Sequence, residues 1–131
     1  MEDERLKVIA SKTKPHIEAL SAITLATGDM VRAVRFYEAL GFQLKSGGAN
    51  EAFTSFALGH AFLNLIAETH GPINWWGRVI IHVSDVDDMY RKAVDAGLAP
   101  MFAPRDAPWG ERYFHIADPD GHELSFARPL N

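Results

Sequence analysis

Cysteine is absent from the 131-residue chain. Its absence excludes disulfide bridges, thiolate metal ligands and a cysteine nucleophile. The sequence also lacks any apolar run near the roughly 18 residues that a membrane-spanning helix needs. The first residues are acidic and contain no long apolar segment, which is not typical of a secretory signal. These absences favour a cytoplasmic protein with no membrane partner.

Positive charge is scarce as well. Lys and Arg total 13 against 17 Asp and Glu, which gives a net charge of −4. A protein that binds nucleic acid through general electrostatics carries the opposite balance. No glycine-rich phosphate loop, G-x-S-x-G segment or H-E-x-x-H segment is present. With 47% hydrophobic residues, one domain of this length buries enough surface to fold without a structural metal.

An internal repeat organises what is there. A strand-like segment ends at Asp29 and a second ends at Asp85, 56 residues further on, and Gly41 recurs at the same offset as Gly97. Each copy has apolar residues at the i, i+3, i+4, i+7 spacing of an amphipathic helix. An aspartate begins each predicted helix and a glycine ends it. Any two amphipathic helices could share this apolar spacing. The shared order of strand, aspartate, helix and glycine at one offset favours two similar modules.

Three alternating segments complete each half. We predict strands at 42–46, 52–58 and 61–67 in the first half, and at 101–104, 112–117 and 123–127 in the second. Gly, Asn, Asp and Pro supply the turns between them, including DPDG at 118–121. The predicted boundaries are an N-terminal arm at 1–17 and one domain at 18–129. Within that domain, module one is about 18–70 and module two about 76–129.

The two faces of each predicted sheet differ in character. In the first strand of module two, Val79 and Ile81 point under the helix, whereas Arg78 and His82 point away. The second face carries small, polar, charged and aromatic side chains rather than the Lys and Glu of a solvated sheet. A mixed face of this kind is typical of a ligand cleft.

Two motifs make a family resemblance specific. FYEALGF at 36–42 and DPDGHELSF at 118–126, together with the repeat, resemble the vicinal oxygen chelate superfamily. Its members include glyoxalase I, extradiol dioxygenases, fosfomycin-resistance enzymes and bleomycin-resistance proteins. The resemblance covers roughly residues 18–129. It implies an α+β fold of two tandem βαβββ modules whose curved mixed sheets form a cleft, and a homodimer in which two chains share each cleft.

The same resemblance implies where a metal would sit. Metalloenzyme members place His, Glu or Gln at four inward positions, which match Ala22, Asn64, Arg78 and Ser125 here. Ala22 has no donor atom, Arg78 is a cation, and the other two offer weak neutral oxygens, whereas Zn, Fe, Mn and Ni prefer imidazole and carboxylate. We therefore predict no metal at the usual place and no cofactor.

Histidines keep an enzymatic alternative open. His82 follows Arg78 on the same face, and His115 and Glu123 belong to the second face of the last strands. A displaced metal site, or a histidine acting as acid or base, remains possible on this pattern. The other histidines carry no functional signal: His60 and His122 follow turn glycines, and His16 and His70 lie outside the modules. We interpret DPDG as a tight turn.

Tryptophans in loops are the most informative aromatic residues. Trp75 and Trp76 precede module two, and PWGERY at 108–113 resembles a loop of bleomycin-type and mitomycin-type drug-binding members, in which flat ligands stack on aromatic side chains. Arg78 either contacts the ligand or forms an ion pair with Glu123. Arg112 either contacts the ligand or braces the loop.

The leading hypothesis is metal-independent binding of a small aromatic molecule, antibiotics included, by a homodimer. The alternatives are a lyase, isomerase or dioxygenase of the same superfamily, and an interaction module whose cleft is filled by protein. The candidate ligand-binding residues are Asn64, Trp76, Arg78, His82, Trp109, Arg112, His115 and Ser125.

Overall fold

The computed structural model describes residues 15–131, so most of the predicted arm lies outside the described residues. Module one contains β1 (Ala22–Thr27), α1 (Met30–Ala39), β2 (Leu44–Ser46), β3 (Phe53–Leu58) and β4 (Ala61–Ala67). Module two contains β5 (Arg78–His82), α2 (Val86–Asp95), β6 (Arg105–Asp106), β7 (Glu111–Ala117) and β8 (Glu123–Pro129). Within this part of the chain, no helix combines the length and hydropathy needed to span a bilayer.

Each module forms one four-stranded mixed sheet. The strand orders are β1-β4-β3-β2 and β5-β8-β7-β6. In both, the first strand pairs in parallel with the last, and the other neighbours are antiparallel. The predicted α+β architecture of two tandem βαβββ modules is confirmed.

The helices begin and end where the repeat predicts. Asp29 Oδ1 accepts the Arg32 backbone N–H at 3.1 Å, and Asp85 Oδ1 accepts that of Asp88 at 2.9 Å, so each aspartate caps a helix N-terminus. Gly41 follows α1 with a φ of +94°. At that φ, glycine ends a helix without the steric penalty of a side chain.

One hydrophobic core joins the modules. The inner faces of both sheets and both helices contribute to a single cluster of buried side chains. The Phe42 ring of module one lies 6.4 Å from the Phe126 ring of module two. The alternation predicted for β5 is confirmed, since Val79 and Ile81 are buried while Arg78 and His82 are exposed.

The strand predicted at 101–104 is wrong. That segment bends, and strand pairing begins only at β6, where Arg105 faces Tyr113. Met101 donates its N–H to the His115 carbonyl at 2.8 Å, but Pro104 has no N–H with which to continue a ladder. This edge strand is therefore two residues long rather than the four that we predicted.

DPDG forms the predicted turn and also ties the modules together. The Gly121 N–H closes the turn on the Asp118 carbonyl at 2.9 Å. The buried Asp118 carboxylate accepts the Tyr37 hydroxyl of α1 at 2.7 Å. The Asp120 carboxylate accepts the Gly28 N–H at 2.9 Å and contacts His70 Nε2 at 2.8 Å.

His122 is not merely a turn residue, and His70 is not without a role. His122 is 5% exposed, and its Nε2 donates to the Ala26 carbonyl of β1 at 2.9 Å. Trp76 Nε1 donates to its Nδ1 at 3.0 Å. These two bonds select the neutral tautomer protonated at Nε2. Both histidines thus hold the linker and module two against module one, a role that depends on tertiary contacts.

Candidate ligand-binding trough on module two

The outward face of the second sheet has a floor of small residues. Ser125 and Ala127 of β8 are only 4% and 1% exposed, although both point away from the core. They are flanked in register by Ile80 and His82 on β5, and by His115 and Tyr113 on β7. This strip of small residues along β8 lies between two rows of larger ones, and we call the strip with its flanking residues the trough.

Aromatic side chains form one wall of the trough. The Trp109 ring is 66% exposed and lies 5.4 Å from the Tyr113 ring. Phe102 packs edge-on against Tyr113 at 5.5 Å and against His115 at 5.1 Å. The exposed indole beside this tyrosine provides a surface for stacking a flat ligand.

An ion pair lies at one end. Arg78 Nε and Nη2 contact Glu123 Oε2 at 2.9 and 2.8 Å, and Trp75 Nε1 donates to the same oxygen at 2.7 Å. Burial favours a higher pKa for Glu123, but the hydrogen bonds from Trp75 and Arg78 outweigh it and hold that pKa below its usual range. The sequence allowed two interpretations of Arg78, a ligand contact or an ion pair with Glu123, and the structure contains the ion pair.

His115 lies beside this pair. Its Nδ1 is 3.9 Å from Glu123 Oε1, and its side chain is 14% exposed. Burial lowers the pKa of His115, and the charges of Arg78 and Arg105 lower it further, against an opposing effect of Glu123. The imidazole is therefore neutral at neutral pH, and it can accept or donate a hydrogen bond.

The other end carries a second contact with a carboxylate. His82 Nε2 lies 3.2 Å from Glu111 Oε2, and Trp109 Nε1 donates to Glu111 Oε1 at 2.9 Å. Glu111 thus holds Trp109 and His82 at the rim.

Five of the eight predicted site residues share this face, and three do not. Arg112 lies on the opposite side of β7, where Asp87 accepts from it at 2.8 and 2.9 Å and Asp106 at 3.0 Å. It braces the start of α2. The residues brought together are Arg78, His82, Trp109, His115 and Ser125.

Asn64 and Trp76 lie on the module-one side. Asn64 Nδ2 donates to Thr24 Oγ1 at 3.2 Å on the outward face of the first sheet. Trp76 lies beside His122 and lines a shallow cavity of about 210 Å³ with β1 residues.

Sequence reasoning missed Phe102, Arg105 and Tyr113 as wall residues. The available signal was the alternation of β7, which places Tyr113 on the same face as His115.

Comparison with known proteins fits this architecture. The family model for the "Glyoxalase/Bleomycin resistance protein/Dioxygenase superfamily" matches residues 16–126. The chain belongs to the glyoxalase/bleomycin resistance protein/dioxygenase superfamily. A superfamily structure from Nocardioides has a TM-score of 0.73 at 21% identity and covers 98% of this chain and 94% of its own.

Two further similarities are more limited. A bleomycin-binding protein in complex with bleomycin has a TM-score of 0.69 at 24% identity, covering 88% of this chain and 99% of its own; at this identity the similarity shows the fold. An uncharacterised protein of Mycobacterium tuberculosis is 43% identical over 54 residues, 40% of this chain. Those residues span about a third of the mycobacterial protein, 32% of its length.

The metal ligands of the superfamily's metalloenzymes have no counterpart in this donor set. At the four positions that the resemblance matches to metal ligands, Ala22 offers no donor, Asn64 bonds to Thr24, Arg78 is a cation bonded to Glu123, and Ser125 offers only a hydroxyl. Within residues 15–131, no three His, Asp or Glu side chains are placed to hold a metal ion. His82 and His115 contact different carboxylates, Glu111 and Glu123, so a displaced site is not assembled either.

Proposed function

We propose that this protein binds a small, flat, aromatic molecule in the trough without a metal and without chemical conversion. The observation that carries the proposal is the exposed Trp109 side chain, whose ring lies 5.4 Å from that of Tyr113. Apolar burial and offset stacking are available to a planar ligand there. An antibiotic of this shape, bound in the cytoplasm, is the ligand class that the superfamily suggests.

The proposed binding unit is a homodimer. The outward faces of both sheets expose apolar side chains, with Phe53 and Phe62 in module one and Ile80 in module two at 45%, 40% and 60% exposure. A second copy would cover these residues and close the open side of the trough, and two-fold pairs are the commonest oligomers. Light scattering near twice 14.5 kDa is expected; a mass that stays near one chain at high concentration contradicts the dimer.

The binding test uses a panel of flat tricyclic compounds: anthraquinones, acridines and flavones. Calorimetry should detect at least one at micromolar affinity, with the compound recovered unchanged and the affinity unaffected by EDTA. Trp109→Ala should weaken that binding by about 1–3 kcal/mol. Val31→Ala, which removes an exposed apolar side chain from the helix side, should leave it unchanged. Equal binding by wild type and Trp109→Ala would place the ligand elsewhere.

A second candidate function rests on His115. A half-buried imidazole that is neutral at neutral pH, with a carboxylate 3.9 Å away, has the properties of a general base. An enzyme of this kind would convert a panel compound, and His115→Gln would abolish the conversion while leaving binding in place. If an unrelated protein chain covers the tryptophans and no small ligand binds, the interaction module is favoured instead.

A further inference from the structure

Arg105 lies at the wall of the trough and is ordered by aromatic contacts. Its Cζ is 3.8 Å from the centroid of the Phe102 ring and 5.4 Å from that of Tyr113. Its Nε donates to Tyr113 Oη at 3.1 Å. Cation–π packing and one hydrogen bond therefore fix the guanidinium plane before any ligand arrives, which lowers the entropic cost of using it.

Within the part of the chain that the structure describes, the charge of Arg105 is unpaired. Among residues 15–131, no carboxylate lies within ion-pair distance of it. Two of the other three arginines of this sheet are paired: Arg78 with Glu123, and Arg112 with Asp87 and Asp106. The third, Arg128, is in register with Arg112 on the face opposite the trough. No described residue bonds to either terminal amino group of Arg105, and a guanidinium offers these groups as a planar pair that matches a carboxylate.

The surroundings give a bound anion one orientation. Trp109 and Arg105 each lie 5.4 Å from the Tyr113 ring, so the indole and the cation both border this tyrosine. Glu111 is bonded to Trp109 and His82, which disfavours a negative charge at that end. His115, neutral and next to Phe102, adds a hydrogen-bonding group on the side of Arg105.

We propose that Arg105 recognises an anionic group of the ligand, so that the trough selects flat aromatic carboxylates over their uncharged analogues. The inference rests on the proposed binding function and specifies its ligand class. It replaces Arg78, which the sequence singled out, by a residue that has no carboxylate partner among residues 15–131.

A pair of matched probes tests this selectivity by isothermal titration calorimetry. Anthraquinone-2-carboxylate and anthraquinone-2-carboxamide share the ring system and differ in charge. The wild type should bind the carboxylate at least tenfold more tightly. Arg105→Gln should lower carboxylate affinity about tenfold, the order expected for hydrogen bonds to a charged group, and change carboxamide affinity less than twofold. Arg105→Lys, which keeps the charge and loses the planar pair, should fall between.

Arg32→Gln is the matched control. It removes the same charge from an exposed position on α1, away from the trough, so it should alter neither affinity. Unchanged circular dichroism and Tm in Arg105→Gln and Arg32→Gln establish that the fold is intact. Equal affinity of the wild type for the two probes, or absence of carboxylate binding, would overturn the inference. An equal loss of carboxylate affinity in Arg105→Gln and Arg32→Gln would overturn it as well. Carboxamide binding that depends on Trp109 would then leave the proposed function standing; failure of the whole aromatic panel would remove that function too.

Discussion

His70 Nε2 lies 2.8 Å from Asp120 Oδ1, which joins the linker between the modules to the loop before the last strand. The other ring nitrogen, Nδ1, lies 2.7 Å from the Gly71 carbonyl oxygen. Both ring nitrogens thus face acceptors, and only the doubly protonated imidazolium donates to both. The carbonyl of Gly71 and the carboxylate of Asp120 accordingly raise the pKa of His70 above its usual 6.5.

This contact predicts a pH-dependent contribution to stability. Because the folded pKa is raised, the contribution is fully present below pH 6.5 and is lost as pH rises through the folded pKa. Urea unfolding of the wild type and His70→Gln should therefore differ more at pH 6 than at pH 9. His60→Gln, in an exposed turn, is the control for the substitution itself. A difference between wild type and His70→Gln that grows with pH would contradict the sign.

Tyr37→Phe tests the buried contact between the modules. The Tyr37 hydroxyl is fully buried and donates to Asp118 Oδ2, while the backbone N–H groups of Asp120 and His122 bond to Oδ1. Without the hydroxyl, one oxygen of a buried carboxylate loses its donor, at a cost of about 1–3 kcal/mol. Urea denaturation measures it.

The control for that variant is Tyr90→Phe on α2. The Tyr90 ring packs against Phe114, and its hydroxyl makes no hydrogen bond to another group within residues 15–131. We expect a change below about 0.5 kcal/mol, as for substitutions away from buried networks. Equal destabilisation by the two variants would show that the Asp118 contact is not special.

Gly47→Ala should destabilise the hairpin of module one. A Cβ there would lie 2.2 Å from the Phe53 carbonyl oxygen and 2.8 Å from the Thr54 Cα, at a φ of +81°. Backbone must move, which adds to the roughly 1–3 kcal/mol of an unfavourable φ. Gly59→Ala, at a φ of +60° with nothing within 4 Å, isolates the φ cost. Thermal unfolding should show the larger loss for Gly47→Ala; the reverse order would refute the steric explanation.

His115 should titrate below 6.5 in an NMR pH titration of its ring protons. Burial is the main cause, followed by the charge of Arg78, while Glu123 opposes them. Glu123→Gln removes the opposing carboxylate and should lower the midpoint further. Because this folded pKa is lowered, the group contributes stability that rises with pH up to about 6.5, opposite in sign to His70. A midpoint above 6.5 would also remove the case for His115 as a base at neutral pH.

The fold was predictable because its signals are local. Asp29 and Asp85 cap helices, and apolar alternation sets which face of each strand is buried. The exception at 101–104 has a physical reason: prolines interrupt the ladder there, and pairing at Arg105 depends on where β7 passes. No propensity of that short segment encodes its register.

The site was only half predictable for a related reason. Alternation places His115 and Tyr113 on one face, but it does not tell which charges are paired. Arg78 pairs with Glu123 and Arg112 with Asp87, whereas Arg105 contacts aromatic rings and the Tyr113 hydroxyl, with no carboxylate partner among residues 15–131. These partners come from other strands and loops, so their contacts depend on tertiary structure. His122 and His70 were misjudged on the same ground.

The single core between the two modules also bears on how such a protein changes over generations. The Phe42 and Phe126 rings pack against each other in this core, so substitution of either residue threatens folding. Ile80, His82 and Trp109 on the outward face have no part in that core, and the fold survives at 21% identity in the Nocardioides protein. Recognition can therefore drift while the scaffold stays constant, which makes this face a natural choice for randomisation in laboratory evolution of new specificities.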